Sequence, residues 1–161
     1  MNRQEILDRL SVFPFDRGEY WIVAGAAMVV YGIREQTADI DLGCSVKMAD
    51  QLEAEGCLYR KTADGKRWFR TGGSIEIFEA WGRDSVELIG SFQIVSLNGL
   101  IEMKQELGRE KDLKDIELIR SFKRSIGCEK RTMAEKLDPV AQQCAAVPEQ
   151  KSEKHDHPVA Y

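Results

Sequence analysis

The chain has 161 residues, enough for one ordinary domain, and 43% of them are hydrophobic and 31% charged. That balance excludes collagen-like, disulfide-scaffold and wholly disordered chains. Net charge is −4, from 23 basic and 27 acidic residues, which excludes the strongly basic footprint of a dedicated nucleic-acid binder but leaves room for a local basic groove. The longest apolar run spans 21–31, well short of the roughly 20 residues a membrane span needs. The first ten residues carry charges throughout and hold no signal-peptide core. A soluble, cytoplasmic protein with no membrane partner is expected. Cys44, Cys57, Cys128 and Cys144 form no C-x-x-C pair and are expected to be free thiols.

In chain order, Asn2 with Glu5 three residues on signals a helix start, and Ile6, Leu7 and Leu10 supply its apolar stripe. Residues 20–24 read as a buried strand. A turn at Gly25 leads into a short helix over 26–31, closed by Gly32. Residues 39–42 alternate polar and apolar, as a half-buried strand does. A helix is expected over 47–55, then a hairpin of 57–62 and 66–70 around Asp64-Gly65. Strands follow at 74–78 and 91–95, with 81–84 as a loop between them. Ser96 caps a helix to Leu107, and a last helix over 111–125 presents Leu113, Ile116, Ile119 and Phe122. This order predicts an α+β (α/β) domain: a mixed sheet flanked by helices, with C-terminal helices. The domain is expected over 1–127. Residues 128–161 are expected to be a flexible polar tail, with a short helix around 132–137 at most. The tail holds His155 and His157 as H-x-H, either a metal-ligand pair or plain solvated residues.

The chemistry concentrates in carboxylates. In a strand, Asp39 and Asp41 point to one face while Ile40 and Leu42 point into the core. Two adjacent carboxylates raise each other's pKa unless a cation intervenes, and hard oxygens suit Mg²⁺ or Mn²⁺. The plainer alternative is an exposed strand edge. Fourteen residues earlier, Gly25 opens a helix whose free N–H groups suit a phosphate. Glu76, between Ile75 and Ile77, is a third acid on the same parity, and Glu79 falls on the opposite one.

The stretch VAGAAMVVYGIREQTADIDLG resembles the signature of the DNA-polymerase-β-like nucleotidyltransferase superfamily. More narrowly it is similar to minimal nucleotidyltransferases of the AbiEii toxin-like group, matching at Gly25, Ala27, Tyr31, Gly32, Arg34, Thr37, Asp39, Ile40, Asp41 and Leu42. A later run of that group, G-R-x-K-D-L-x-D-I, stands here as Gly108 to Ile116. The residue after Gly25, usually Gly or Ser in the family, is Ala26 here.

The resemblance implies the nucleotidyltransferase fold and transfer of a nucleoside monophosphate from an NTP such as ATP to an acceptor hydroxyl. The acceptor would be an RNA end such as tRNA, a protein or a small molecule, in the setting of a toxin with a cognate antitoxin. Asp39, Asp41 and Glu76 would be catalytic and would hold Mg²⁺ or Mn²⁺. Gly25 and the N–H groups of Ala26 and Ala27 would lie near the phosphates. Arg34, Thr37, Lys104 and Lys111 join them as nucleotide-binding candidates, each also readable as structural. Lys66, Arg67, Trp68 and Arg70 interleave charge and an aromatic, which fits either RNA stacking or an ordinary amphipathic strand. The competing functions are a nucleotidyltransferase-like module that only binds a nucleotide or partner, and a metal-dependent phosphohydrolase.

Overall fold

The computed structural model describes the backbone of residues 1–142 and the side chains of residues 1–128. His155 and His157, and the end of the expected tail, lie outside the described residues. Met1–Arg124 forms one compact unit.

Helix α1 (Arg3–Ser11) opens on the capping box of Asn2 and Glu5 and buries Ile6 and Leu10. Strand β1 (Tyr20–Ile22) is buried along its length. It feeds α2 (Ala24–Tyr31), which ends at Gly32 in the left-handed conformation. Then come β2 (Ile40–Cys44), α3 (Val46–Ala54), β3 (Tyr59–Lys61), β4 (Arg67–Thr71) and β5 (Ile75–Glu79). Strands β6 (Val86–Ile89) and β7 (Phe92–Val95) form a hairpin, followed by α4 (Leu97–Leu107) and α5 (Glu110–Gln142). Ser45 and Ser96 cap α3 and α4 by accepting a hydrogen bond from the backbone N–H three residues on.

The seven strands form one mixed sheet in the order β3-β4-β5-β2-β1-β7-β6. The β2–β5 and β1–β7 pairs are parallel and the rest antiparallel. With five α-helices among the described residues, the architecture is mixed α/β, as the alternation of elements predicts. None of these helices is long and apolar enough to cross a membrane.

Three local differences have physical causes. Strand β6 went unread because it is an edge strand with weak alternation, leaving Leu88 exposed. The left-handed residue at the start of α2 is Ala24, with φ of 50°, rather than Gly25. Helix α5 continues past Gly127 to Gln142, where the sequence pointed to a tail, because residues 128–138 are mostly good helix formers.

The sheet has two unlike faces. Ile40, Leu42, Phe69, Ile75 and Ile77 are buried in one core with Ile6, Leu10, Met28, Met48 and Leu52. The opposite face carries Asp41 and Glu76. On that face Trp21 lies across the bare backbone of Gly43. A Cβ at Gly43 would stand 2.1 Å from Trp21 Nε1 and 2.4 Å from the Trp81 carbonyl oxygen. Gly43→Ala is therefore expected to cost at least about 2 kcal/mol, the scale of overpacking in a filled site. Urea denaturation checks this, and an unchanged midpoint would contradict the packing.

Candidate active site

The strand ladder assembles the acids. Asp41 stands directly beside Glu76 in the parallel β2–β5 pair, and Glu76 beside Arg70 in the antiparallel β4–β5 pair. Residues paired this way share a face, so Arg70, Glu76 and Asp41 form one row across three strands. Asp39 enters just before β2 and lines the same cleft as Asp41 and Glu76. That cleft has a volume of about 740 Å³, within the roughly 300–1,000 Å³ of small-molecule sites. Gly25, Arg34, Thr37, Lys104 and Lys111 line it as well. Ala26 does not: its side chain is fully buried in the core. Any part it plays at a phosphate falls to its backbone alone.

Burial pushes the Asp41 carboxyl up to about 7, and the neighbouring charges of Asp39 and Glu76 add to the rise. Lys104 and Lys111 pull it down without cancelling those effects. Among the described residues, neither the Asp39 nor the Asp41 side chain has a hydrogen bond or ion pair. Glu76 is engaged: Arg70 donates to it through Nη2 at 2.5 Å and Nε at 3.0 Å. Glu79, the reserve acid, falls on the core-side parity as its spacing requires. Arg67 grips it there and holds its carboxyl below the usual range. Arg67 also reaches Asp50 and Glu53 of α3, which makes it a tie between helix and sheet.

The helix α2 start is built for close approach. Its N-cap Val23 supplies no side-chain hydrogen bond, so the N–H groups of Ala24, Gly25 and Ala26 stay available, whereas the Ala27 N–H, expected near a phosphate, donates instead to the Val23 carbonyl as the first bond of the helix. A Cβ at Gly25 would sit 3.0 Å from Thr37 Oγ1 and 3.8 Å from Arg34 Nη1. Glycine here lets Thr37 and Arg34 close over the turn.

The cations differ in their engagements. Lys104 is buried, 2.6 Å from Asp115 and 3.6 Å from Asp112. Asp115 also pairs with Arg34, so one carboxylate of α5 anchors two cleft cations. Arg109 chelates Asp112, holding that carboxyl low. Lys111 lines the cleft with no ion pair among the described residues. The sequence leaves Asp112 and Asp115 readable as surface charges or caps. Asp112 does act as a local cap, accepting from the Arg109 backbone N–H, but neither is a surface charge: both are buried on the α5 face with Ile116 and Ile119, while Leu113 is exposed. The available signal was a pair of aspartates at the helical spacing of those isoleucines.

Next to the acid row runs a second one. Arg60, Trp68, Phe78, Gly43 and Trp21 are successive cross-strand partners on the same face. Phe78 is only half-buried and lines the cleft with Trp81.

The donor chemistry is that of a hard divalent cation: Asp39, Asp41 and Glu76 line one cleft, and burial drives Asp41 toward neutrality, with the other two acids adding to the rise. No three acidic, His or Cys side chains are gathered closely enough to coordinate as they stand, among the described residues. No family model matches the chain, and no curated protein matches it.

Proposed function

We propose that the protein is a Mg²⁺- or Mn²⁺-dependent nucleotidyltransferase with the fold of the DNA-polymerase-β-like superfamily, resembling its AbiEii toxin-like group. The observation that carries the reading is the frustrated acid row beside an uncapped helix start. Asp39 and Asp41 would hold the cation, joined by Glu76 once it leaves Arg70. The bound metal supplies charge neutralisation for the triphosphate and the developing oxyanions. The N–H groups at Ala24 and Gly25 meet the β and γ phosphates. Lys111, in the cleft and without an ion pair among the described residues, offers them positive charge, and Arg34 and Thr37 orient the turn. The acceptor hydroxyl oxygen bonds to the α-phosphorus, and the bond from that phosphorus to the bridging oxygen of pyrophosphate breaks. The hydroxyl proton passes to Glu76, and pyrophosphate departs with the electron pair. Lys104 acts as a fixed charge locked in place by Asp115.

The reading includes a cytoplasmic setting, where NTP and Mg²⁺ are both present, and extends to a toxin with an antitoxin partner. A second reading, a module that binds a nucleotide without transferring it, draws on the engagement of Glu76 by Arg70. The fate of the α-phosphate separates these. A transferase leaves it on an acceptor and releases pyrophosphate. A phosphohydrolase releases nucleotide without an acceptor, and a binding module releases nothing.

A further inference from the structure

The second row has features that the transfer chemistry does not use. The rings of Trp68 and Phe78 lie nearly parallel, 8° apart, with centroids at 6.0 Å. Phe78 meets Trp81 at 4.9 Å, and the Trp81 carbonyl accepts a hydrogen bond from Trp21 Nε1 at 2.6 Å. The ring row is therefore braced from behind. At its outer end the guanidinium groups of Arg60 and Arg70 each sit 5.8 Å from the Trp68 ring. Both arginines are exposed. The Trp68 Nε1–H is buried and has no hydrogen-bond partner among the described residues, an orphan donor of the kind native structures rarely leave. Of the cations on these two strands, Arg60 and Arg70 stand on the ring face, while Lys61 and Arg67 fall on the opposite parity, where Arg67 is held by Glu79, Asp50 and Glu53.

Stacked rings flanked by exposed arginines recognise one chemistry: nucleobases joined by phosphates. A duplex hides its base faces, so the partner is single-stranded. We propose that the row Arg60–Trp68–Phe78 binds a single-stranded polynucleotide, whose terminal hydroxyl is the acceptor of the transfer reaction. The acceptor role rests on the transfer reading; the binding does not. The bases lie against the rings, and the phosphates pair with Arg60 and Arg70. The acid row is two residues further along the strands, about 7 Å away, one nucleotide's reach. A phosphate on Arg70 also draws that guanidinium from Glu76 and frees the third acid to join Asp39 and Asp41.

The test is fluorescence anisotropy on the full chain, without NTP or metal, using a labelled twelve-nucleotide RNA, the same sequence as DNA, and an RNA duplex. A single strand is expected to bind at least ten times more tightly than the duplex, and the RNA and DNA arms identify the sugar. Trp68→Leu is expected to weaken binding about tenfold, as loss of one stacked base does. Arg60→Ala, at an exposed position, is expected to weaken it about threefold and to lower the salt dependence by about one phosphate contact. No binding of either strand would overturn the proposal. So would equal binding of duplex and single strand that neither variant changes. Strand binding without nucleotidyl transfer would overturn the transfer reading alone. Transfer to a small molecule without strand binding would overturn this inference alone.

Discussion

Asp41→Asn is expected to stabilise the metal-free protein at neutral pH while abolishing nucleotidyl transfer. The folded chain holds the Asp41 proton up to about pH 7, whereas the ordinary value is 3.8. A carboxyl raised on folding contributes stability that is complete below the unfolded pKa. That contribution disappears as pH rises through the folded one. At pH 8 the wild type therefore carries a half-buried charge near Asp39 and Glu76, and Asn removes it. The shift sets a ceiling of about 4 kcal/mol, at about 1.4 kcal/mol per unit. A gain on the order of 1–3 kcal/mol at pH 8, shrinking toward zero at pH 4, is expected from urea denaturation at both values. Mg²⁺ is expected to raise the melting temperature of the wild type at pH 8 and to leave that of the variant unchanged. A variant less stable than wild type at pH 8 would mean that Asp41 supports the fold instead of burdening it.

The second large effect is expected at Asp115. Its carboxylate is buried between Lys104 and Arg34, two cations from different parts of the chain. Asp115→Ala leaves the buried Lys104 ammonium with Asp112 as its nearest carboxylate, at 3.6 Å. Breaking one side of a buried pair costs about 3–5 kcal/mol. Lys104→Met should cost less, since Asp115 keeps Arg34. The double variant Asp115→Leu/Lys104→Met should recover part of the loss, because an apolar pair of similar volume replaces the charges. Denaturation of the single and double variants reads the coupling directly. Additive losses would show that the pair acts independently.

Much of the acid row was legible from parity alone. Asp39, Asp41 and Glu76 each alternate with apolar residues, and the β2–β5 register sets Asp41 beside Glu76. The same argument assigns Glu79 to the other face. What parity cannot supply is the partner across the strand. Arg70 is six residues before Glu76 in sequence, and only the β4–β5 register brings them together. The buried network of Asp115, Arg34 and Lys104 was illegible for a related reason. Its members are 81 and 11 residues apart, and a lysine reads as surface unless its partner is known. At the helix start, the expectation that overreached is Ala27, whose N–H is already spent on the Val23 carbonyl, because a helix leaves only its first few N–H groups without an internal partner.

Nucleotidyl transfer is read out directly by following a labelled α-phosphate. The full chain is incubated with Mg²⁺ and each α-³²P-labelled NTP in turn, with total RNA and cell lysate present. Asp39→Asn/Asp41→Asn serves as the control. The account predicts label on a macromolecule or small product with the wild type only, and pyrophosphate released in equal amount. A folded wild type that leaves every acceptor unlabelled, with Mn²⁺ as well as Mg²⁺, would contradict it.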